Sequence, residues 1–326
     1  MTEKEYRDHP GINYSLLSKV ASSPVGLDDK RETDFFTMGS LVDCLCTNPD
    51  EFNDIYYVST TPAPSDAMAA YCKVLAETAD AQAAWEASGL KSDPAVPPKN
   101  GGDSKYEKEG KAYFRDLIRG KGKKVIDFET NAKATSLANQ LKNNQFTGKF
   151  FDKEDNEYQY AIEWQYHGRT CKSLLDIIHI DHDNRTIRPV DLKTTGKSVL
   201  SFARSYIDYK YYLQAAFYTA ALEYALKHDP NLMAWQDYRI LPFQFVVIGV
   251  NDANPPHIFE VSEQDLFVGE YGGRINGRDY DIKGFQQLID DLEEHRDTNQ
   301  WEYRHEVYDN DGVIPLESLV RYEENY

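Results

Sequence analysis

The sequence predicts an α/β chain of the α+β type. It should have a mixed central sheet containing an antiparallel hairpin, helices on its flanks and a mainly helical insertion. Three observations predict this. Cys171–Thr195 reads CKSLLDIIHIDHDNRTIRPVDLKTT, two β-rich runs at 174–180 and 186–195 around a polar turn. FQFVVIG at 243–249 is an unbroken apolar run, the signature of a strand buried on both faces. Between 65 and 143, helix-forming stretches alternate with a loop at 92–104 that holds Pro94, Pro97, Pro98, Gly101 and Gly102.

Taken in order, residues 1–26 read as a short helix capped by Asn13 or Ser15 and stopped near Ser22-Ser23-Pro24. A second helix over 35–46 carries Asp43. A short strand is expected at 54–58, one Ala-rich helix at 65–88, a helix at 105–119, a strand at 124–128 and a helix at 130–143. The run 157–166 alternates, and His167-Gly168 then turns the chain. With 169–181 and 186–195 this makes an antiparallel meander of three strands. A loop and short helix at 199–206 precede a Tyr-rich helix at 207–227. The strand at 243–249 pairs with 258–261, and helices follow at 265–271 and 282–295. The organisation expected is one domain over 1–326, with 60–150 a helical insertion and about 296–326 a loose acidic tail anchored by Trp301 and Tyr303.

Composition narrows the function classes. The chain has 326 residues, 41% hydrophobic and 28% charged, which suits a globular fold with a sizeable core. No apolar run of about 18 residues is present, and the first residues, MTEKEYRDHPG, lack an apolar signal core, so a cytoplasmic protein is expected. Four cysteines, Cys44, Cys46, Cys72 and Cys171, fit neither a disulfide framework nor a zinc or iron–sulfur set, and read as small buried hydrophobes. Gly196-Lys197-Ser198 mimics the end of a P-loop, but Asp191 stands where its first Gly would be, so no ATP chemistry is expected. The net charge of −18 suits poorly a protein that coats nucleic acid. A local basic run does exist: between 105 and 124 eight Lys and Arg face three acids. It could line a DNA path or be a solvated helix face, and Tyr106, Tyr113 and Phe114 within it could stack on bases or pack a core.

The hairpin carries the chemistry. Asp183-Asn184 is a natural two-residue turn, because both residue types tolerate positive φ. Facing residues then have numbers summing to 367, which sets Asp176 opposite Asp191, with Cβ atoms roughly 4.5–5.5 Å apart. Lys193 lies two residues beyond Asp191 and so on the same face. Two acids and an amine together form a site for a hard divalent cation, Mg²⁺ first and Mn²⁺ second. An isolated Asp-x-Lys is more often a solvated surface pair. Here both acids sit in apolar runs, and Gln214 and Tyr218, four residues apart, add a polar helix face. The turn at 167–168 sets Glu163 opposite Lys172 on the side of the two acids, as an extra ligand or as a support for Lys172.

Asp176, Asp191-Leu192-Lys193 and Gln214-x-x-x-Tyr218 together resemble the PD-(D/E)xK nuclease superfamily, and within it the RecB/RecE-type, phage exonuclease VIII-like exonucleases. The resemblance extends to Tyr14-Ser15-Leu16-Leu17, Ser23-Pro24, Gly39-Ser40-Leu41-Val42-Asp43 and Asn299-Gln300-Trp301. Relatives often place a metal-binding His where this chain has Asp43, and a carboxylate can replace imidazole on a hard ion. The resemblance implies a restriction-endonuclease-like core. It also implies a two-ion site made by Asp176, Asp191, the Leu192 carbonyl and Asp43. Lys193 would act on the water or the phosphorane, and Gln214 and Tyr218 would position groups from the helix behind. The implied activity is 5′→3′ degradation of linear duplex DNA in recombination or repair, in a phage or prophage setting. The implied partners are DNA ends, a single-strand annealing protein and further copies of the chain, with no membrane. Two rivals stay open: an endonuclease of the same superfamily, and an inactive acidic DNA mimic.

Overall fold

The computed structural model describes residues 3–22, 38–275 and 282–314. Ser23, Pro24 and the end of the acidic tail from 315 lie outside the described residues. The chain forms two compact units, one of residues 1–35 with 140–326 and one of residues 36–139. The larger opens with α1 (Glu3–Asp8) and α2 (Tyr14–Ser22). Asn13 caps α2, accepting from the Leu16 amide at 2.9 Å.

The smaller unit contains α3 (Met38–Thr47), α4 (Phe52–Ile55), β1 (Tyr56–Ser59), α5 (Asp66–Thr78), α6 (Ala81–Ser88), α7 (Lys111–Arg119) and β2 (Lys124–Asp127); α8 (Phe128–Asn143) carries the chain out of it. It thus begins and ends earlier than the 60–150 stretch, and it takes in the helix that bears Asp43. The helix expected over 65–88 is broken. Ala79 takes a left-handed φ of 56°, and Asp80 recaps the chain by accepting from the Gln82 and Ala83 amides. β1 and β2 pair in parallel, a long-range contact with no local signal. Asp116 is buried beneath them. Burial alone would raise its pKa, but hydrogen bonds from Ser59 and Thr61 and the charge of Arg119 outweigh it and hold the carboxyl low. Tyr106, Tyr113 and Phe114 pack with Met68, Tyr71 and Cys72, so these aromatics are core while the eight basic residues beside them are exposed.

The larger unit continues with β3 (Asn156–Tyr166), β4 (Arg169–Asp181), β5 (Thr186–Thr195), α9 (Phe202–Asp208), α10 (Tyr211–His228), β6 (Arg239–Ile240), β7 (Gln244–Gly249), β8 (His257–Glu260), α11 (Glu263–Tyr271), α12 (Phe285–Thr298) and α13 (His305–Asp309). The sheet order is β3-β4-β5-β7-β8, with β6 beside the start of β5. β3, β4 and β5 form the antiparallel meander, β5 pairs with β7 in parallel, and β8 returns antiparallel, so the sheet is mixed. Trp164, Leu213, Phe217, Phe285 and Leu288 centre the main core, with α10 packed on the meander. Phe202, Phe243, Phe245 and Val247 build a second core. Gly269 of α11 lets that helix close on α10, since a Cβ there would sit 2.5 Å from the Tyr212 carbonyl oxygen. Beyond α12, Asn299 turns left-handed and His295 stacks on Trp301 at 5.4 Å, so the Asn-Gln-Trp stretch is a packed helix stop.

Both hairpin registers follow from the alternation. His167 and Gly168, each with positive φ, close β3–β4 and set Glu163 against Lys172. In β4–β5, Ile177 faces Val190 and Ile180 faces Ile187. The second turn is looser than the expected pair. It spans four residues, 182–185, with Arg185 at φ 50°, because the Asp181 carboxylate accepts from both the Asn184 amide and its Nδ2. Opening one further pair leaves the register unchanged.

The loop after β7 is tied by Asp252. Its carboxylate accepts from the Val199 amide at 2.7 Å and the Asn254 amide at 3.1 Å, and these bonds hold its pKa down to about 2. A depressed acid stabilises the fold above its unfolded value of about 3.9, and that contribution is lost as pH falls through the folded value. Asp252→Ala should therefore melt below the native chain at neutral pH, with the gap closing as pH falls from about 4 to about 2. Thermal melts across that range check this, and a gap that does not change with pH would contradict the assignment.

Candidate active site

The sheet splits where the two acids stand. β5 pairs with β4 only up to Val190 opposite Ile177, and from Val190 it pairs with β7 instead. The Asp176 carboxylate meets the gap, with Oδ2 accepting from the Leu192 amide at 3.0 Å. On the other flank of β4 the ladder is interrupted at Gln159, which faces Asp176 in register and takes a φ of 48°. The edge of β4 that β5 leaves is covered by the N-terminal segment. Ile12 bridges Cys171 in parallel, donating to the Thr170 carbonyl at 3.0 Å and accepting from the Lys172 amide at 2.8 Å.

The fork brings the predicted group together. Asp191, only 2% exposed, binds Gln214 Nε2 through Oδ1 at 2.5 Å and meets Lys193 Nζ through Oδ2 at 2.7 Å. The Asp176 carboxyl lies within hydrogen-bonding reach of Asp191. Tyr218 stands one turn beyond Gln214 on α10, with its hydroxyl beside the Gln214 side chain. Burial raises the Asp191 pKa, and the amine, the amide and Asp176 only partly offset it. Burial pulls Lys193 the other way, but the two carboxylates outweigh it and raise its pKa. Asp191 is lifted by burial that its partners do not fully offset and Lys193 by the two carboxylates beside it, so the group holds its protons tightly. Burial also lifts Tyr218 well above the ordinary tyrosine value, reinforced by Tyr6, Asp191 and Asp176.

The donor set suits a hard divalent cation. Asp191 Oδ2 has the ammonium as countercharge but no aligned hydrogen bond, and Gln214 Oε1 is likewise buried without an aligned donor among the described residues. Two carboxylates against one amine leave a net negative charge that a cation would balance. Asp176 and Asp191 could hold such an ion, with Lys193 beside it.

One candidate stands elsewhere. Glu163 keeps its place opposite Lys172 but forms its ion pair with His9, at 3.0 Å, and is about half exposed. It does not support Lys172, whose amine donates to the carbonyls of Tyr6 at 2.6 Å and His9 at 2.5 Å. Asp43 belongs to the smaller unit, on α3, where Thr47 Oγ1 donates to its carbonyl at 2.9 Å. Sequence reasoning passed over His9 and Tyr6, and saw Tyr211 only as one residue of a Tyr-rich helix. The Lys193 ammonium lies 4.8 Å from the Tyr211 ring centroid, and the Tyr-rich run at 206–212 was the available signal. Nothing local marks the partners of Lys172, because they lie more than 160 residues away in sequence.

Among the described residues, three metal-type ligands also converge at Glu294, His305 and Asp309. There one His305 nitrogen is shared by two exposed carboxylates, at 3.0 and 3.2 Å, which an ordinary surface ion pair explains. A family model described as a PDDEXK-like domain of unknown function (DUF3799) matches residues 25–256. The chain belongs to this PDDEXK-like family. The match takes in Asp43, Glu163, Asp176, Asp191-Leu192-Lys193, Gln214 and Tyr218, and leaves out Tyr14 and the Glu294 cluster. A mixed sheet flanked by helices, with an acidic hairpin at its fork, is the restriction-endonuclease-like arrangement that a PDDEXK-like chain should have. No curated protein matches the chain. Among solved structures it is similar to a "Putative exonuclease" from Eubacterium rectale, at 11% identity and a TM-score of 0.44, over 97% of this chain and 88% of that one.

Like-charge crowding at the fork should cost stability when no cation is bound. Asp176→Asn is expected to raise the melting temperature of the metal-free chain by about 2 °C, for about 1 kcal/mol of relief. Lys193→Met is expected to lower it. Thermal melts in EDTA test both, and a fall for Asp176→Asn would mean that the two carboxyls do not repel.

Proposed function

We propose that this chain is a metal-dependent deoxyribonuclease, and specifically a RecE-type exonuclease degrading linear duplex DNA 5′→3′. The observation that carries the reading is the buried group of Asp176, Asp191, Lys193 and Gln214 at the sheet fork, in a PDDEXK-like chain. In this reading Asp176, Asp191 and the Leu192 carbonyl hold Mg²⁺ or Mn²⁺, with Asp43 as a further ligand and Glu163 outside the set. A bound ion would supply Lewis-acid polarisation of the phosphate and acidify an attacking water. Lys193 faces the charge that builds on the phosphorane, and its raised pKa keeps it cationic there. Gln214 fixes the rotamer of Asp191, and Tyr218 holds Gln214 from the next turn of α10. Product strands with 3′ ends would pass to an annealing protein, and further copies of the chain would surround the duplex.

An endonuclease of the same superfamily is the second reading, since the same four side chains would serve it. Among the described residues no helix is long and apolar enough to cross a membrane.

End-labelled linear duplex and covalently closed circles, each with and without Mg²⁺ or Mn²⁺, separate the readings. Loss of label from linear substrate with circles intact is expected, and cut circles would favour the endonuclease. Asp191→Asn and Lys193→Met should each lower hydrolysis by about a thousandfold or more. Activity within tenfold of the native chain in either variant would sink the assignment. Because the Asp191 pKa is raised, a metal ion must compete with protons for its carboxylate, and Mn²⁺ affinity measured by calorimetry should fall as the pH is lowered. Asp43→Ala should weaken Mn²⁺ binding and Asp43→His should restore part of it; equal affinity in all three chains would remove Asp43 from the site.

A further inference from the structure

A row of side chains leads from the buried acid to solvent. Asp191 meets Lys193, the Lys193 ammonium lies over the Tyr211 ring, and the Tyr211 ring lies 5.7 Å from that of Tyr209. Exposure rises along the row from 2% at Asp191 to 53% at Tyr209. Two contacts fix the backbone that carries Tyr209. The Tyr14 hydroxyl donates to the Tyr209 carbonyl at 2.7 Å, and Lys210, buried and left-handed at φ 56°, anchors its amine on the Ser22 hydroxyl at 2.9 Å. A non-glycine residue in that conformation costs free energy unless its surroundings enforce it, and such strain gathers at functional positions. Here it sets the corner between α9 and α10 a few residues later than the start expected for the 207–227 helix. The corner that results holds one aromatic ring half out of the protein, one ring removed from the catalytic amine. Phe202, stacked on the other neighbour at 5.7 Å, backs Tyr211 and leaves Tyr209 as the outermost ring of the row.

We propose that Tyr209 is a stacking platform for the unpaired terminal nucleotide of the strand being degraded. This deepens the nuclease reading and rests on it. An aromatic face accepts any base, so the platform would select for an open strand end and against continuous duplex without reading sequence. The backbone anchors hold the ring in place before substrate arrives, which reduces the ordering cost of binding.

The test uses the full chain in EDTA and a duplex with one unpaired 2-aminopurine at a 5′ end. The native chain and Tyr209→Phe should quench the fluorophore on binding. Tyr209→Ala and Tyr209→Leu should bind without quenching and about tenfold more weakly. Leu keeps the bulk, so its failure would point to stacking and not to packing. Unchanged quenching in Tyr209→Ala, or none with the native chain, would overturn the proposal. Hydrolysis of end-labelled duplex in Mg²⁺ and Mn²⁺ is measured in parallel. A native chain that hydrolyses without Tyr209-dependent quenching overturns the platform alone. One that quenches through Tyr209 but never hydrolyses overturns the nuclease reading alone.

Discussion

Two carboxyl groups forced into one dry gap, with a single amine between them and solvent, are the constraint from which the rest of the larger unit follows. Asp176 and Asp191 lie on strands that hydrogen-bond to each other right up to the acids and then part. A continuous ladder would have left the Leu192 amide and the Asp176 carboxylate no reason to meet. The split lets that amide hold Asp176 while Gln214 and Lys193 hold Asp191. Each acid is therefore fixed by a donor that cannot move far.

That arrangement imposes two further demands. A parting pair of strands leaves an open edge on β4, and an open edge needs a partner. Ile12 supplies it, and Lys172 secures the segment by capping carbonyls at the end of α1. A buried lysine is costly in isolation, and burial does lower its pKa, but three carbonyl acceptors satisfy its donors. The second demand is for a cation. Burial raises the proton affinity of Asp191, and the two carboxylates raise that of Lys193. A hard metal ion would balance two carboxylates against one amine, and it is the ligand that the proposed phosphodiester hydrolysis calls for.

The smaller unit obeys the same logic on a modest scale. Asp116 is buried there as well, but it is met by two hydroxyl-bearing residues and an arginine, and its pKa falls. Burial alone thus does not make an acid reactive in this chain. Asp191 differs because its partners only partly offset the cost of its burial.

The sequence by itself determined the strands other than β6, both hairpin registers and the polar face of α10. Alternation with period two fixes which side chains share a face, and turn residues fix where pairing begins, so Asp176 and Asp191 could be set opposite each other from numbering alone. Gln214 and Tyr218 were legible for the same reason, since a helix repeats every 3.6 residues. The tertiary structure decided what those rules do not reach. It parted β4 from β5, gave Glu163 to His9 instead of Lys172, moved the start of the 207–227 helix past Lys210 and set Tyr209 half in solvent. In each case the deciding partner lies far away in sequence: β7 for β5, His9 for Glu163, Tyr14 and Ser22 for the corner. Local periodicity carries no information about which distant group will occupy an open edge or satisfy a buried charge.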